Sequence, residues 1–259
     1  MRTLPILATL GAVAMPASLM AQDFEWSGRL ATGMAVEVKG INGDIEALPA
    51  SGNQVEVTAV KREGRRGYAE EVTFEVVEHD GGITICAMYP SEPGKRENEC
   101  REGGHGHMSV HDNDTEVDFT VRVPAGVDLV ARTVNGNVDT GAMGGDVWAF
   151  TVNGSIEITA AGYAHANTVN GSIRAHMGRS DWQGDLEFQT VNGSITVELP
   201  ADLSARVEAS TVNGDMQTDF PLTIQGRWGP RRLSGTIGEG GRTLRLSTVN
   251  GGISLQRGG

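Results

Sequence analysis

In the second half of the chain, apolar and polar residues alternate with a period of two. The alternation is interrupted at intervals by the tetrapeptide Thr-Val-Asn-Gly. Period-two alternation is typical of β-strands that bury one face, because successive side chains point to opposite faces. Each repeat therefore predicts two short strands joined at an Asn-Gly corner. The tetrapeptide stands at 133–136, 151–154, 168–171, 190–193, 211–214 and 248–251, and the related Gly-Ile-Asn-Gly stands at 40–43.

The same kinds of residue recur at fixed distances from each asparagine. Apolar residues stand six and four positions before it, as Leu186 and Phe188 do before Asn192. Others stand three and five positions after it, as Ile195 and Val197 do. The apolar residues stand at even distances before the asparagine and at odd distances after it, which predicts a bend in the chain at Asn-Gly. Glycine adopts a positive φ without steric cost and asparagine tolerates one, so we expect that backbone conformation at the corner.

An Asn-Gly pair between strands is also the strongest signal for a β-hairpin. A series of hairpins would leave the threonine and asparagine columns of successive units unrelated, whereas spacings of 17 to 22 residues favour stacked coils. Asparagine amides stacked about 4.8 Å apart would form a hydrogen-bonded ladder. The pattern therefore predicts an all-β fold, a parallel β-solenoid similar to a single-stranded β-helix. Its structural repeat residues are Asn42, Asn135, Asn153, Asn170, Asn192, Asn213 and Asn250.

The 37-residue gap between Asn213 and Asn250 is close to two repeats. We expect residues 233–237 to form a degenerate coil in which Ser234 replaces the asparagine. The intervening residues 225–232 are predicted to form a loop from that coil.

The first residues are typical of a secretory signal peptide. Arg2 supplies a positive charge, an apolar run of about 15 residues follows, and Ala21 is a small residue ahead of the expected cleavage point. The run is too short for a membrane-spanning helix. We therefore expect residues 1–21 to be removed on export, leaving a mature chain without a transmembrane segment.

The mature chain, residues 22–259, is predicted to be one β-solenoid domain. Residues 53–123 contain longer strand-like runs separated by charged turns, which predicts antiparallel strands near the N-terminal end. Such strands would cap the stack, because a bare terminal coil is an open sheet edge. Residues 127–257 hold the Thr-Val-Asn-Gly coils.

The chain is acidic, with 33 acidic and 21 basic residues and a net charge of −12. Removal of the signal peptide takes one basic residue, Arg2, and leaves 20 basic and 33 acidic residues, a net charge of −13. Nucleic acids and anionic lipids would be repelled by this charge, so we expect neither as a partner.

The chain resembles the DUF4097 family, whose members bear the name putative adhesin. The resemblance is carried by Gly-Ile-Asn-Gly-Asp-Ile at 40–45, Val-Pro-Ala-Gly-Val at 123–127 and the Thr-Val-Asn-Gly series. It implies a solenoid of β-strand repeats related to the toast-rack domains of bacterial envelope proteins. It supplies no catalytic residues, and we expect no cofactor.

Two features of the N-terminal half are candidates for chemistry. Cys86 and Cys100 are the only cysteines, and in an exported protein we expect them to form a disulfide. The loop that follows holds His105, His107 and His111, whose imidazoles are candidate ligands for zinc or another divalent ion. Their spacing matches no fixed ligand pattern, so the alternative is a solvated loop without a metal site.

The valine before each repeat asparagine has two interpretations. It packs inside the corner, or it forms an exposed apolar stripe that binds a partner. Trp148, Trp182 and Trp228 share no column, so the sequence does not predict an aromatic stripe for stacking sugars.

Polysaccharide-cleaving enzymes also use β-solenoids, but they need carboxylates or basic residues that converge on one groove. The outward columns here are mixed. The sequence therefore predicts an exported, non-enzymatic protein: an adhesin or cell-envelope interaction protein in the periplasm, on the cell surface or in the medium. Its partner would be an envelope or surface protein or a glycan. The alternatives are a periplasmic envelope-stress sensing or scaffolding module and, less favoured, a polysaccharide-active enzyme.

Overall fold

The computed structural model describes residues 23–179, 182, 184–225 and 231–258. The predicted signal peptide and Trp228 lie outside these residues. No helix in the described part of the chain is long and apolar enough to cross a membrane.

The N-terminal region holds seven strands and one short 3-10 helix. They are β1 Phe24–Gly28, β2 Ala35–Lys39, β3 Ile45–Pro49, β4 Val55–Arg62, the 3-10 helix Ala69–Glu71, β5 Thr73–His79, β6 Gly82–Met88 and β7 Glu116–Val123.

The repeat region contributes two strands for each Thr-Val-Asn-Gly corner. They are β8 Asp128–Arg132, β9 Val138–Met143, β10 Val147–Phe150, β11 Ile156–Ala160, β12 Ala164–Asn167, β13 Ile173–Met177, β14 Leu186–Gln189, β15 Ile195–Leu199, β16 Ala205–Asn213 and β17 Met216–Thr218. The last four strands are β18 Thr223–Gln225, β19 Arg231–Ile237, β20 Thr243–Asn250 and β21 Ile253–Arg257.

The strands form two large, mostly parallel sheets. Sheet A has the order β1-β4-β7-β3-β9-β11-β13-β15-β21-β17, and sheet B has the order β18-β19-β16-β20-β14-β12-β10-β8-β2-β6-β5. A coil consists of the sheet B strand before one repeat asparagine and the sheet A strand after it. The predicted fold class, a parallel β-solenoid with an antiparallel N-terminal region, is confirmed.

The core lies between the sheets and follows the predicted columns. Ile156, Ile173 and Ile195 are in register on adjacent parallel strands and are each almost fully buried. One continuous cluster of buried apolar side chains runs from Val36 to Leu255. Each coil thus buries its apolar residues against the coils above and below it.

The N-terminal end of the stack is closed by the region around residues 53–123. β6 and β7 add one parallel rung beyond β2 and β3, with residues 89–115 in place of an Asn-Gly corner. Antiparallel strands then finish both sheets, with β4 and β1 on sheet A and β5 on sheet B.

The C-terminal end differs from the sequence prediction. Residues 233–237 do not form a degenerate coil, because β19 pairs antiparallel with β16 and Ser234 lies opposite Glu208. The coil of Asn250 is inserted between those of Asn192 and Asn213, since β20 lies between β14 and β16. The order of coils in space is therefore not their order in the sequence.

Candidate functional site

The repeat asparagines lie in one column along a corner of the solenoid. Each side-chain amide donates from Nδ2 to Oδ1 of the preceding asparagine, at 2.8–2.9 Å. The ladder therefore links the coils at the corner where the chain passes from sheet B to sheet A. It runs in the order Asn42, Asn135, Asn153, Asn170, Asn192, Asn250 and Asn213.

The repeat threonines are buried on the inner side of the same corner, where each is at most 6% exposed. Every threonine hydroxyl donates to the carbonyl oxygen of the corner glycine in the preceding coil, as Thr168 does to Gly154 at 2.9 Å. Without a partner, such a carbonyl would be a costly buried acceptor. The threonine column therefore satisfies one backbone carbonyl in every coil of the ladder except the terminal coil of Asn213.

The corner glycines are required for close approach and not for the predicted backbone conformation. Only Gly43 among them has a positive φ, at 116°. A Cβ atom on Gly154 would lie 1.9 Å from the carbonyl oxygen of Gly136, and the glycines of the other Thr-Val-Asn-Gly corners face the same contact. The expectation of a positive φ at these corners is wrong, because the constraint comes from the neighbouring coil.

The valines of the repeat point away from the core, so the interpretation that they pack inside the corner is wrong. Each is between 37% and 42% exposed, and together they form a line of aliphatic side chains beside the asparagine ladder. We call this line the valine ridge. In spatial order it consists of Val134, Val152, Val169, Val191, Val249 and Val212.

The valine ridge continues into Ile41, which is only 7% exposed. Met108 and Val110, from the loop between β6 and β7, line a cavity of about 420 Å³ together with Ile41 and Val134. Tyr89 supports the start of this loop by donating its hydroxyl to the carbonyl oxygens of Thr115, at 2.8 Å, and Asn42, at 3.3 Å. Burial raises the pKa of Tyr89 to about 12, so this hydroxyl stays protonated at neutral pH.

Cys86 and Cys100 form the expected disulfide, with their Cα atoms 5.9 Å apart. The bond ties the loop between β6 and β7 to sheet B. The three histidines lie in this loop beyond Cys100. His107 pairs with Glu99 through the backbone, and His111 Nε2 is 3.6 Å from Asp112. Over the described residues, no three histidine, cysteine or carboxylate side chains come together as a metal site would need.

Buried charges fasten the same loop to the outer face of sheet B. The Glu37 carboxylate accepts hydrogen bonds from the Arg132 guanidinium at 2.7 Å, the Thr84 hydroxyl at 2.9 Å and the Gly103 N–H at 2.8 Å. Lys39 donates to the Gly103 carbonyl oxygen at 2.6 Å. Desolvation lowers the pKa of Lys39, and the neighbouring Glu37 carboxylate opposes that shift. These contacts hold the loop in place over the first coils.

An aromatic patch on the outer face of sheet B was not predicted. The ring centroids of Trp148 and Tyr163 lie 5.3 Å apart, and those of Phe150 and His165 lie 5.4 Å apart. The Arg132 guanidinium lies 4.0 Å from the centre of the Phe150 ring. All four rings stand at odd distances before the asparagine of their coil, and the period-two alternation places such positions on the outer face. Comparing two adjacent coils in this way would have placed the four rings side by side.

A shallow groove of about 810 Å³ runs along the outer face of sheet A. Glu46, Asp139 and Glu157 line it in register on adjacent parallel strands, and Arg174 lies on the next strand. All four side chains are exposed, and Arg174 pairs with Glu157 at 3.9 Å. The groove is thus a solvated surface of mixed charge.

Residues 150–256 match the model of the family described as Toastrack DUF4097. The resemblance carried by the repeated motifs is therefore confirmed over this part of the chain. No functionally curated protein matches the sequence.

Among solved structures, a "putative cell adhesion protein" from Clostridium sporogenes is similar with 11% identity and a TM-score of 0.47, over 91% of this chain and 99% of that one. A "putative adhesin" from Bacteroides fragilis is similar with 9% identity and a TM-score of 0.33, over 90% of this chain and 96% of that one.

Proposed function

We propose that the protein is an exported, non-enzymatic, adhesin-like module that binds an envelope or surface protein through the valine ridge. The observation that carries the proposal is the exposure of the ridge, 37–42% for each valine. Threonine bonds a buried carbonyl, asparagine forms the ladder and glycine allows close approach. Valine alone among the four repeated residues has no such task inside the stack.

The chemistry of the ridge favours an apolar contact. Neighbouring coils are about 4.8 Å apart, so the valines form a continuous aliphatic line bordered by the asparagine amides. Valine has a high β-propensity, which alone would favour it at this position. Threonine has a similar branched shape and propensity, however, and would serve without exposing apolar surface to water. A contiguous apolar line with a polar border is typical of a binding surface.

The chain's own loop indicates the class of partner. At Ile41, the position equivalent to the valines, Met108 and Val110 lie beside the corner and the exposed fraction is 7%. An extended protein segment carrying aliphatic side chains could cover the remaining positions in the same way. The net charge of −13 for the mature chain favours a neutral or basic partner.

The proposal treats residues 22–259 as one exported domain. The signal-like residues 1–21 and the disulfide between Cys86 and Cys100 both support an oxidising compartment. The continuous core supports a single domain.

The experiment compares two triple variants of the mature protein. The first changes the ridge: Val152→Thr, Val169→Thr and Val191→Thr. The matched control changes the outward serines of the same coils: Ser155→Thr, Ser172→Thr and Ser194→Thr. Binding to isolated envelopes of the producing cells is measured, after urea unfolding has shown that the folds are intact.

We expect the ridge variant to bind at least about tenfold more weakly than the wild type, a loss of about 1.4 kcal/mol. The serine control should bind as the wild type does. Unchanged binding by an intact ridge variant would contradict the proposal. Turnover of an envelope polysaccharide by the purified protein would contradict its non-enzymatic part.

A further inference from the structure

The asparagine ladder ends differently at its two ends. At the N-terminal end, the Gly43 N–H donates to the Asn135 carbonyl oxygen at 2.9 Å, and the Asn42 carbonyl oxygen accepts from Val117 at 2.8 Å. At the C-terminal end, Asn213 donates from Nδ2 to Asn250 at 2.9 Å. Among the described residues, nothing donates to Asn213 Oδ1 and nothing accepts from the Gly214 N–H.

In the interior corners, both the asparagine Oδ1 and the following glycine N–H are hydrogen-bonded. Each interior glycine N–H donates to the asparagine carbonyl oxygen of the next coil, as Gly171 does to Asn192 at 3.0 Å. Each interior asparagine Oδ1 accepts from the next amide, as Asn170 does from Asn192 at 2.8 Å. Asn213–Gly214 is thus the one Asn-Gly pair of the ladder, within the described residues, whose side-chain carbonyl and following N–H are both unpaired.

An Asn-Gly pair is chemically labile in water. The deprotonated backbone nitrogen of the glycine attacks Cγ of the asparagine, so that an N–Cγ bond forms, the Cγ–Nδ2 bond breaks and ammonia leaves. Water then opens the resulting succinimide at either carbonyl and gives an aspartyl or an isoaspartyl residue. The net reaction consumes one water and releases one ammonia, without oxidation or reduction. Glycine favours it because no Cβ obstructs the approach of the nitrogen.

The reaction requires a glycine nitrogen that can lose its hydrogen bond and a side chain that can turn toward it. In the interior corners, both groups are held by the neighbouring coil. At Asn213, a single side-chain hydrogen bond to Asn250 restrains the amide. We propose that Asn213 is the site of selective, spontaneous deamidation in this protein and that the ladder protects the other six Asn-Gly pairs.

The product would alter the last rung of the ladder. An aspartate at this position has no amide to donate to Asn250. The conversion adds a negative charge and removes the side-chain hydrogen bond between Asn213 and Asn250.

The experiment follows deamidation in the intact, folded, disulfide-bonded protein. The protein is incubated at mildly alkaline pH, digested and mapped by tandem mass spectrometry, which locates each exchange of an amide NH₂ for OH. The urea-unfolded chain serves as the control for the intrinsic reactivity of each sequence. In the folded protein, we expect Asn213 to react at least about tenfold faster than Asn153, Asn170 and Asn192. This ratio of rates corresponds to a difference of about 1.4 kcal/mol in activation free energy.

The difference between sites should disappear when the chain is unfolded. Equal rates at Asn213 and the interior asparagines in the folded protein would overturn the proposal, as would a slower rate at Asn213. A variant, Asn213→Ser, tests the cause of the protection. It removes the amide that donates to Asn250 but keeps the carbonyl oxygen that accepts from the Gly251 N–H at 2.9 Å. Asn250 should still deamidate slowly in this variant. If its rate rose to that of Asn213 in the wild-type protein, the hydrogen bond from the Gly251 N–H to the backbone carbonyl of residue 213 would not be what protects Asn250.

Discussion

At the scale of single residues, the two faces of a coil should respond very differently to truncation. Ile173 is 1% exposed and packs between Ile156 and Ile195, whereas the Arg174 side chain is 70% exposed. Ile173→Ala should therefore lower the free energy of unfolding by about 2–5 kcal/mol. Arg174→Ala should change it by no more than about 0.5 kcal/mol. Urea unfolding of both variants tests this, and equal losses would mean that the faces are wrongly assigned.

The corner glycines make a second prediction at the same scale. Gly154→Ala places a Cβ atom 1.9 Å from the backbone oxygen of Gly136, and this oxygen cannot move without opening the coil. We expect a loss of at least about 2 kcal/mol in the free energy of unfolding.

Gly104→Ala is the matched control, because open space surrounds that position. It should be neutral or slightly stabilising, since alanine restricts the unfolded chain. A tolerated alanine at Gly154, measured by thermal or urea unfolding, would show that close stacking is not what requires glycine there.

His165 predicts a pH dependence of stability. Desolvation lowers the pKa of His165 in the folded protein from its ordinary value of 6.5, while the Glu187 carboxylate opposes the shift. The unfolded chain therefore takes up a proton more readily, and its protonation should reduce stability as the pH falls through about 6.5. His165→Gln should lose less stability than the wild type between pH 7.5 and 5.5, and identical pH profiles would argue against this role.

At the scale of elements, the loop between β6 and β7 depends on its disulfide. Cys86 and Cys100 are 14 residues apart. In the chain-entropy model, a disulfide that closes a loop of this size raises the free energy of unfolding by about 3 kcal/mol, because it restricts the unfolded chain. The double variant Cys86→Ala/Cys100→Ala should lose about that much stability. Because the loop lies beside Ile41, hydrogen exchange should accelerate in β2 and at this corner before it does in β13. A uniform increase over the whole chain would contradict that local role.

The strands and their columns were predictable because each obeys a local rule. Alternation identified the buried faces, and the repeated Asn-Gly identified the corners. The reason for glycine was not predictable, since both a positive φ and a close neighbouring coil select the same residue. The patch of Trp148, Phe150, Tyr163 and His165 does not follow from any single column, because each contacting pair of rings combines different offsets from two coils. The candidate metal ligands share a loop, but proximity in sequence does not fix their geometry.

At the scale of the whole molecule, the exchange of the last two coils could not be predicted. The coils of Asn213 and Asn250 present equivalent apolar columns, so either could stack on the coil of Asn192. The choice depends on β19, which pairs antiparallel with β16 and occupies its free edge in sheet B. The alternation of apolar and polar residues in β16 and β19 does not reveal that these two strands pair with each other.

This exchange makes a prediction for truncation. A chain ending at residue 241 lacks β20 and β21, and so loses a coil from the interior of the stack and not from its end. We expect the hydrogen exchange of β14, β15 and β16 to accelerate strongly. A chain ending at residue 200, which loses both coils, should keep β12 and β13 protected. Wild-type protection of β16 in the first chain would show that β20 is not its essential neighbour.

Because of the same exchange, one strand is synthesised well before the parallel strand with which it pairs in the folded protein. A chain synthesised from its N-terminus can stack the coils of Asn135, Asn153, Asn170 and Asn192 one on another as they emerge. β16 emerges next, but its parallel neighbour β20 is made some thirty residues later. During that interval β16 can pair early with β14, in the place that β20 later occupies, or wait with β19 as an antiparallel ribbon. Because β19 pairs with the edge of β16 that faces away from β20, it gives β16 a neighbour in the sequence with which it can pair before β20 is made.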